Sequence, residues 1–253
     1  MRYWRILVLL TFSLVSCKRS KDEEKSLFIL KINFLAGSQP LSYSSNFPFG
    51  SGFVRFVQAR FYVAVPSLVT SQNDTVAFPD TYAILDSENN LLIVGEVPAR
   101  QYKTLMFGLG VDRDRNTQFG SKAIPATEYP MDHPLSASHG LYWGWNPGYI
   151  FGQFDGRYDT NGNQVFTDPT DILFSYHPGT DKLYRTIIRP TEVKAHGQKF
   201  TLTLNFNLLK CLEAVDILTH PHSHPVSSSD PEFPAAKAFV DAYEEAFSQV
   251  TVE

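Results

Sequence analysis

Apolar and polar residues alternate along much of this chain with a period of two, the spacing of a strand with one face buried. The clearest case is Lys199–Phe206, where Phe200, Leu202, Leu204 and Phe206 fall on one face and Thr201, Thr203 and Asn205 on the other. That pattern predicts a half-buried antiparallel strand. A first strand is expected at Leu27–Phe34, which is dense in β formers, and a loop at residues 36–50. Gly52–Val65 reads as an aromatic and β-branched strand with a short turn before it. Thr81–Asp86 and Asn90–Val94 are short strands joined by Ser-Glu-Asn-Asn, and residues 97–101 form a turn ahead of a strand at Tyr102–Val111. Asp171–His177 and Leu183–Ile188 complete the set, while Leu208–Ile217 fits no single template. The period then changes. Ala236, Val240, Tyr243 and Phe247 recur at helical spacing, predicting one helix over about Pro234–Val250, with Asp230 or Ser229 before Pro231 as its start signal. Many short strands, turn signals between them and one late helix predict an all-β fold: an antiparallel β-sandwich or barrel-like sandwich with a C-terminal α-helix. No Pro/Gly/Ser-rich linker divides residues 27–253, so one domain is expected there, and no internal repeat is visible.

One stretch departs from plain alternation. His139–Gln153 carries Tyr142, Trp143, Trp145, Tyr149 and Phe151. A strand would set Trp143 and Trp145 on the same face, and Asn146-Pro147-Gly148 is a strong turn signal. The bland reading is a set of core aromatics. The alternative is an exposed platform stacking on sugar rings.

The N-terminus sets the compartment. Arg2 and Arg5 precede an apolar run from Ile6 to Val15, too short for a comfortable membrane span, so residues 1–16 read as a signal peptide. The run ends Leu14-Val15-Ser16-Cys17, the pattern of a bacterial lipobox, which makes Cys17 the expected lipidation site and predicts a membrane-anchored chain. Residues 17–26, largely charged, form the expected flexible tether. Loss of the leader removes two arginines and no acid, taking the formal charge from −4 to −6. No basic block points to nucleic acid. With Cys17 acylated, Cys211 is the one thiol left in the mature chain, so no intramolecular disulfide is expected. The mature chain's tryptophans are then Trp143 and Trp145 alone, because Trp4 leaves with the leader.

Candidate chemistry centres on imidazole. His220, His222 and His224 lie in Thr219-His-Pro-His-Ser-His-Pro225, whose prolines rule out a central strand and predict an exposed, stiff loop presenting three metal ligands. Imidazole suits copper, zinc and nickel, with copper(II) the tightest of the common divalent ions. His177 and His139 are further candidates, each of which is also readable as structural. Asp159-Thr-Asn-Gly-Asn163 resembles part of a calcium loop, but it lacks the downstream bidentate acid; a hairpin turn accounts for it and calcium is not expected. Asp112 and Asn116 are expected to cap a turn through side-chain bonds to backbone amides. No G-x-S-x-G, H-E-x-x-H or phosphate loop is present, so no catalytic residue is assigned and a non-enzymatic protein is expected.

Taken together, Gly110-Val-Asp…Asn116, Gly140-Leu-Tyr-Trp-Gly-Trp-Asn-Pro-Gly-Tyr-Ile-Phe151, Tyr176-His-Pro-Gly179 and the His-rich stretch before a terminal helix resemble the MbnP-like copper-binding proteins, named from methanobactin gene clusters. The resemblance runs from about residue 27 to 248. It implies a periplasmic or lipid-anchored protein of the bacterial cell envelope that binds copper. It also implies a tryptophan, here Trp143 or Trp145, oxidised to kynurenine by a MauG-like diheme partner. His177 matches the histidine of the Tyr-His-x-Gly block. Leu141 stands where the family often has methionine, so a soft thioether beside the tryptophans is absent. The competing expectation is a surface lipoprotein that binds a glycan or a protein through its aromatic loops, without metal.

Overall fold

The computed structural model describes residues 23–116, 122–144 and 148–253. The leader, Cys17, most of the tether, Trp145 and Asn146-Pro147 lie outside the described residues. In chain order the strands and helices are β1 (Lys25–Ala36), β2 (Gln39–Pro40), β3 (Phe47–Phe49), β4 (Gly52–Thr70), β5 (Thr75–Ala77), β6 (Tyr82–Asp86), β7 (Leu91–Pro98), β8 (Gln101–Leu109), α1 (Arg113–Asn116), β9 (Gly152–Asp159), β10 (Ile172–Tyr176), β11 (Arg185–Lys194), β12 (Phe200–Asn207), α2 (Leu208–Glu213), β13 (His222–Ser223), α3 (Phe233–Asp241), α4 (Tyr243–Ala246) and β14 (Thr251–Val252).

Two mixed sheets pack face to face as a sandwich that does not close into a barrel. The smaller runs β14-β12-β1, with β2 and β7 on the far side of β1. The larger runs β11-β8-β4-β9-β10-β13, with β3, β5 and β6 also paired to β4. Strict alternation makes β1 two-faced: Phe28, Leu30, Ile32, Phe34 and Ala36 are buried, and the residues between them are half-exposed. Phe200, Leu202, Leu204 and Phe206 of β12 join the same inner face.

The neighbour of β12 differs from the one its alternation suggested. It runs parallel to β1, with Phe28 opposite Phe200 and Phe34 opposite Phe206, and among the described residues its antiparallel pairing is confined to the two-residue β14 and a single Phe206–Phe247 bridge. Flanked on both sides, β12 also buries Thr203 on its polar face. Side-chain period fixes which face is buried; it carries no information about the direction of the neighbour. The region around Gly52 differs as well. It is a single 19-residue strand that passes from β9 along its first part to β8 along its second, bulging between Ala64 and Ser67 where Val65 takes φ +47°.

Aromatic rings fill the space between the sheets. Phe206 lies 5.1 Å from Phe61 and 4.7 Å from Phe247, and Phe34 lies 5.0 Å from Phe61. Helix α3 closes one side, setting Phe239 at 4.9 Å from Phe154 and 5.0 Å from Tyr176. The expected long C-terminal helix is interrupted after Asp241, continues as the single turn α4, and becomes extended at Phe247. Buried Arg189 of β11 holds the end of α4: its guanidinium donates to the carbonyls of Glu244, Phe247 and Ser248, satisfying helix-end acceptors from outside the helix. Residues 208–213 resolve as the helix α2, capped by the Asn207 side chain, which accepts from Leu209 N at 3.2 Å. Cys211 is fully buried there, and burial pushes its thiol pKa well up, so it serves as a small packing residue.

Candidate functional site

On β9 and β10 the inward side chains are Phe154, Tyr158, Phe174 and Tyr176. Alternation therefore turns Gln153, Asp155, Ser175 and His177 to the outer face of the larger sheet. The His-Pro-His-Ser-His-Pro segment supplies the sheet's last strand. It is less of a free loop than its prolines suggested: Ser175 N donates to Pro221 O at 2.8 Å and His177 N to Ser223 O at 2.9 Å, pairing β13 parallel to β10. Prolines are tolerated because the strand is at the edge and Pro221 is needed only as an acceptor. Ser223 Oγ donates to Glu232 O at 2.7 Å and His224 N to the Glu232 carboxylate at 2.5 Å, fixing the segment to the start of α3.

These pairings build one polar array. Gln58, Asp155, Ser175 and His222 stand in register across four strands. Ser175 Oγ donates to Asp155 Oδ1 at 2.6 Å, and His177 Nε2 lies 2.9 Å from the same oxygen. His224 Nε2 lies 2.8 Å from Ser175 Oγ. The rings of His177 and His224 stack with centroids 4.3 Å apart and planes 18° from parallel, and His222 is 6.5 Å from His224. Gln153 Nε2 donates to Asp155 Oδ2 at 2.8 Å, while its own Oε1 receives Arg60 through Nε and Nη2.

Charge and proton accounting settle the tautomers. Burial acts to raise the Asp155 pKa, but hydrogen bonds from His177, Ser175 and Gln153 outweigh it and hold the carboxyl below its ordinary value. Asp155 is thus an ionised acceptor. The single Ser175 hydroxyl proton goes to it, which leaves Ser175 Oγ to accept from His224 Nε2–H, and His177 Nε2–H also donates to Asp155. Burial, followed by the proximity of His177, lowers the His224 pKa and favours neutral imidazole. The His224 lone pair then lies on Nδ1, and in each ring the engagement of Nε2 by Asp155 or Ser175 leaves Nδ1 clear of both residues. A metal-ligating imidazole is oriented in this way by its second nitrogen.

The aromatic stretch docks beside this array. Tyr142 bridges Tyr149, and Trp143 N donates to Gly148 O at 3.1 Å. Ile150 bridges Gly179, and Phe151 N donates to Pro178 O at 2.7 Å, so the stretch is fastened to the backbone that continues from His177. The six-membered ring of Trp143 lies directly on Gly179: a Cβ there would sit 2.4 Å from Cζ3. The next residue, Thr180, takes φ +72° and ψ 147°, a region otherwise used by glycine, and its buried hydroxyl has no partner among the described residues. Gly144 has φ +78°, so the strand geometry expected to align the two tryptophans stops there, and Trp145 lies outside the described residues.

Asn116 joins the two sequence blocks. Its Oδ1 accepts from Tyr149 N at 2.9 Å, its Nδ2 donates to Asp181 at 2.8 Å, and Gly148 packs so closely on its carbonyl that a Cβ would come within 2.0 Å. Asp112 starts α1: its carbonyl accepts from Asn116 N at 2.9 Å, its carboxylate from Asp114 N at 3.2 Å, and Tyr82 Oη donates to it. Leu141 is fully buried in the core.

Of the five candidate histidines, the fold brings together His177, His222 and His224. His220 stands apart: its backbone N is taken by Asp216 O at 2.7 Å, and it lines an apolar groove with Ala214, Pro231, Pro234 and Ala238. His139 bonds His133 O through Nε2 at 3.0 Å and lines a shallow cleft with Arg60, Asp86 and Asp132. Asp155, Ser175 and Gln153 were not singled out in the sequence; the paired i, i+2 polar residues Gln153/Asp155 and Ser175/His177 were the available signal. Asp159 is fully buried and spends both oxygens on backbone amides, Oδ1 on Asn161 and Gly162 and Oδ2 on Gln164, as a turn-forming residue does. Among the described residues no three His, Cys, Asp or Glu side chains already surround a common point as metal ligands do.

No curated protein sequence matches the chain. Among solved structures it is similar to MbnP from Methylosinus trichosporium, with a TM-score of 0.60 over 90% of this chain and 99% of that one; at 16% identity this likeness shows the fold alone. A family model described as MbnP matches residues 25–228, spanning Asp112 and Asn116, the Trp143 stretch, and the Asp155–Ser175–His177–His224 array. The chain belongs to the MbnP family.

Proposed function

We propose that this protein is a non-catalytic copper-binding protein of the bacterial cell envelope, anchored by lipid on Cys17 at the periplasmic side or outer membrane. In this reading Trp143 or Trp145 is converted to kynurenine by a MauG-like diheme partner. The observation that carries it is the stacked His177–His224 pair, whose Nε2 atoms are held by Asp155 and Ser175 so that Nδ1 of each ring is left for a ligand. Two or three imidazoles beside a carboxylate fit the donor chemistry of copper(II). His177 and His224 would hold the ion, with His222 beside them, after a rotation that unstacks the rings. Bound copper supplies a one-electron redox couple; the chain orients the imidazoles and, through Arg60 and Gln153, keeps Asp155 ionised and in place. The Trp143 ring on Gly179, two residues beyond His177, supports the choice of oxidation site. A kynurenine there adds an aryl amine and a ketone as further donors.

The same geometry argues against acyl transfer. Asp155 bonds Ser175 itself and His177, instead of orienting the far nitrogen of His224 as a triad acid would. Glycan stacking has little support in the described part of the aromatic stretch, since Tyr149 and Phe151 are buried and Trp143 and Tyr142 are half-buried.

The test uses untagged protein purified from its native host. Elemental analysis should find copper, and intact-mass and peptide analysis should find kynurenine at residue 143 or 145. His177→Ala/His224→Ala should abolish copper occupancy, while His220→Ala should leave it. An unmodified chain that takes up no copper after treatment with the partner oxidase would refute the proposal.

A further inference from the structure

The face of the sandwich opposite the imidazole array has a character of its own. On the outer side of β1 and β7, Ile29 stands opposite Ile93 and Lys31 opposite Leu91, with Leu27 two residues before Ile29. Ile93 is 62% exposed and Leu91 49%, and Leu27 and Ile29 are half-exposed. Register makes these four aliphatic side chains neighbours, and a contiguous exposed apolar patch is a marker of an interaction surface. Lysines stand at three points of its rim, and Glu96 stands opposite Leu27. Lys25 and Lys31 flank it along β1, and Lys199, which continues the β1–β12 register opposite Leu27, is exposed beside it. Lys25 pairs with Glu96 at 3.1 Å, whereas Lys31 and Lys199 form no ion pair among the described residues.

The chain's own tether identifies the occupant. Seven residues lie between Cys17 and Lys25, so eight residue steps span at most about 28 Å. Acylation of Cys17 would hold the first residues of β1 within that distance of the bilayer. An aliphatic centre rimmed by lysines is also the composition of a surface that rests in the headgroup region of an anionic membrane.

We propose that the outer face of the β1–β7 pair, with Leu27, Ile29, Leu91 and Ile93 at its centre and Lys31 and Lys199 at its rim, is the surface this chain lays on an anionic lipid bilayer. The inference rests on the reading of Cys17 as lipidated and does not involve the metal. Because the two sheets pack by their inner faces, this orientation turns Asp155, Ser175, His177 and His224 away from the membrane, toward soluble partners.

The mature chain lipidated on Cys17 would be reconstituted in phosphatidylglycerol–phosphatidylethanolamine vesicles containing brominated acyl chains. An environment-sensitive fluorophore would be attached at Ile93→Cys in one preparation and at Leu173→Cys, on the opposite outer face, in another. The buried thiol of Cys211 does not compete for label. The expected result is blue-shifted, strongly quenched emission at residue 93 and unshifted, unquenched emission at 173. Equal quenching at the two positions, or stronger quenching at 173, would overturn the proposed orientation. Cosedimentation separates the two readings. A chain that pellets with residue 93 unquenched refutes the orientation alone, and a chain that stays in the supernatant refutes the anchor and the orientation with it.

Discussion

Gly179→Ala isolates the contact between Trp143 and the strand that carries His177. The new methyl would sit 2.4 Å from Trp143 Cζ3, 2.7 Å from Cη2 and 2.9 Å from Tyr149 O, whereas carbon atoms pack at about 3.5–4.0 Å. The ring must withdraw by about 1 Å, or the Ile150–Gly179 bridge must open. Overpacking of this kind costs about 1–3 kcal/mol. The sign makes the test sharp. Gly179 is not among the glycines with positive φ, so alanine brings no backbone strain, and without the clash the substitution would stabilise by about 0.4–1 kcal/mol through the unfolded state. In a Trp4→Phe, Trp145→Phe background, emission reports Trp143 alone. Urea unfolding followed by far-ultraviolet circular dichroism should show a loss of about 1–2 kcal/mol, and the native emission should shift to the red. Gly140→Ala is the control: it has φ +67° with nothing within 4 Å of its Cβ, so it should cost stability through the backbone and leave the emission in place. A Gly179→Ala chain of equal or greater stability with unmoved emission would refute the placement of the ring.

Other outcomes follow from the same structure. Nitrogen-15 NMR of the imidazoles should find a proton on Nε2 of both His177 and His224 in the metal-free protein; an Nδ1–H tautomer without the Nε2 proton at either would contradict the donor count, and Asp155→Asn should disturb the His177 ring before any distant histidine. Phe206→Ala removes a ring packed against Phe34, Phe61, Phe154, Tyr243 and Phe247 and should cost about 3–5 kcal/mol in chemical denaturation, with a loss below 1 kcal/mol arguing against that packing. Burial acts to raise the Asp241 pKa, but hydrogen bonds from Lys237 and Arg185 hold it below the ordinary carboxylate value, so its contribution of about 0.2–1 kcal/mol is present above the unfolded pKa and lost as pH falls through the folded one. Asp241→Asn should therefore be less stable than the native chain at neutral pH and equal to it in strong acid; a gap that persists in acid would show that the ion pairs are not its source.

The strands that alternate strictly were legible because burial on one face writes itself into sequence with period two. Phe28 to Phe34 and Phe200 to Phe206 needed no tertiary information to be assigned, although the parallel pairing of these two strands did. The C-terminal helix was legible from Ala236, Val240 and Tyr243, but its end at Phe247 was not, since the carbonyls there are met by Arg189, arriving from a strand more than fifty residues earlier. At the site, His177 and His224 were visible as imidazoles, yet only the parallel β10–β13 pairing stacks them. Asp155 and Ser175 looked like any outward polar residues of a half-exposed sheet. His220 shares the i, i+2 spacing of His222 and His224, but that spacing aligns side chains only where the backbone is extended, and Asp216 holds residue 220 in a turn.

The parallel alignment of β1 with β12 also governs the order of assembly. Strand β1 meets β7 on one side early, but its hydrogen-bonded partner on the other side, β12, comes some 170 residues later, so loop-closure entropy must be met before Phe28 and Phe200 can stack. Until then β1 keeps one edge open, the kind of edge that recruits other chains. Truncation before residue 200 should thus yield aggregates in place of a smaller soluble domain. For this fold the vulnerable interval is the time the chain spends waiting for its own second half.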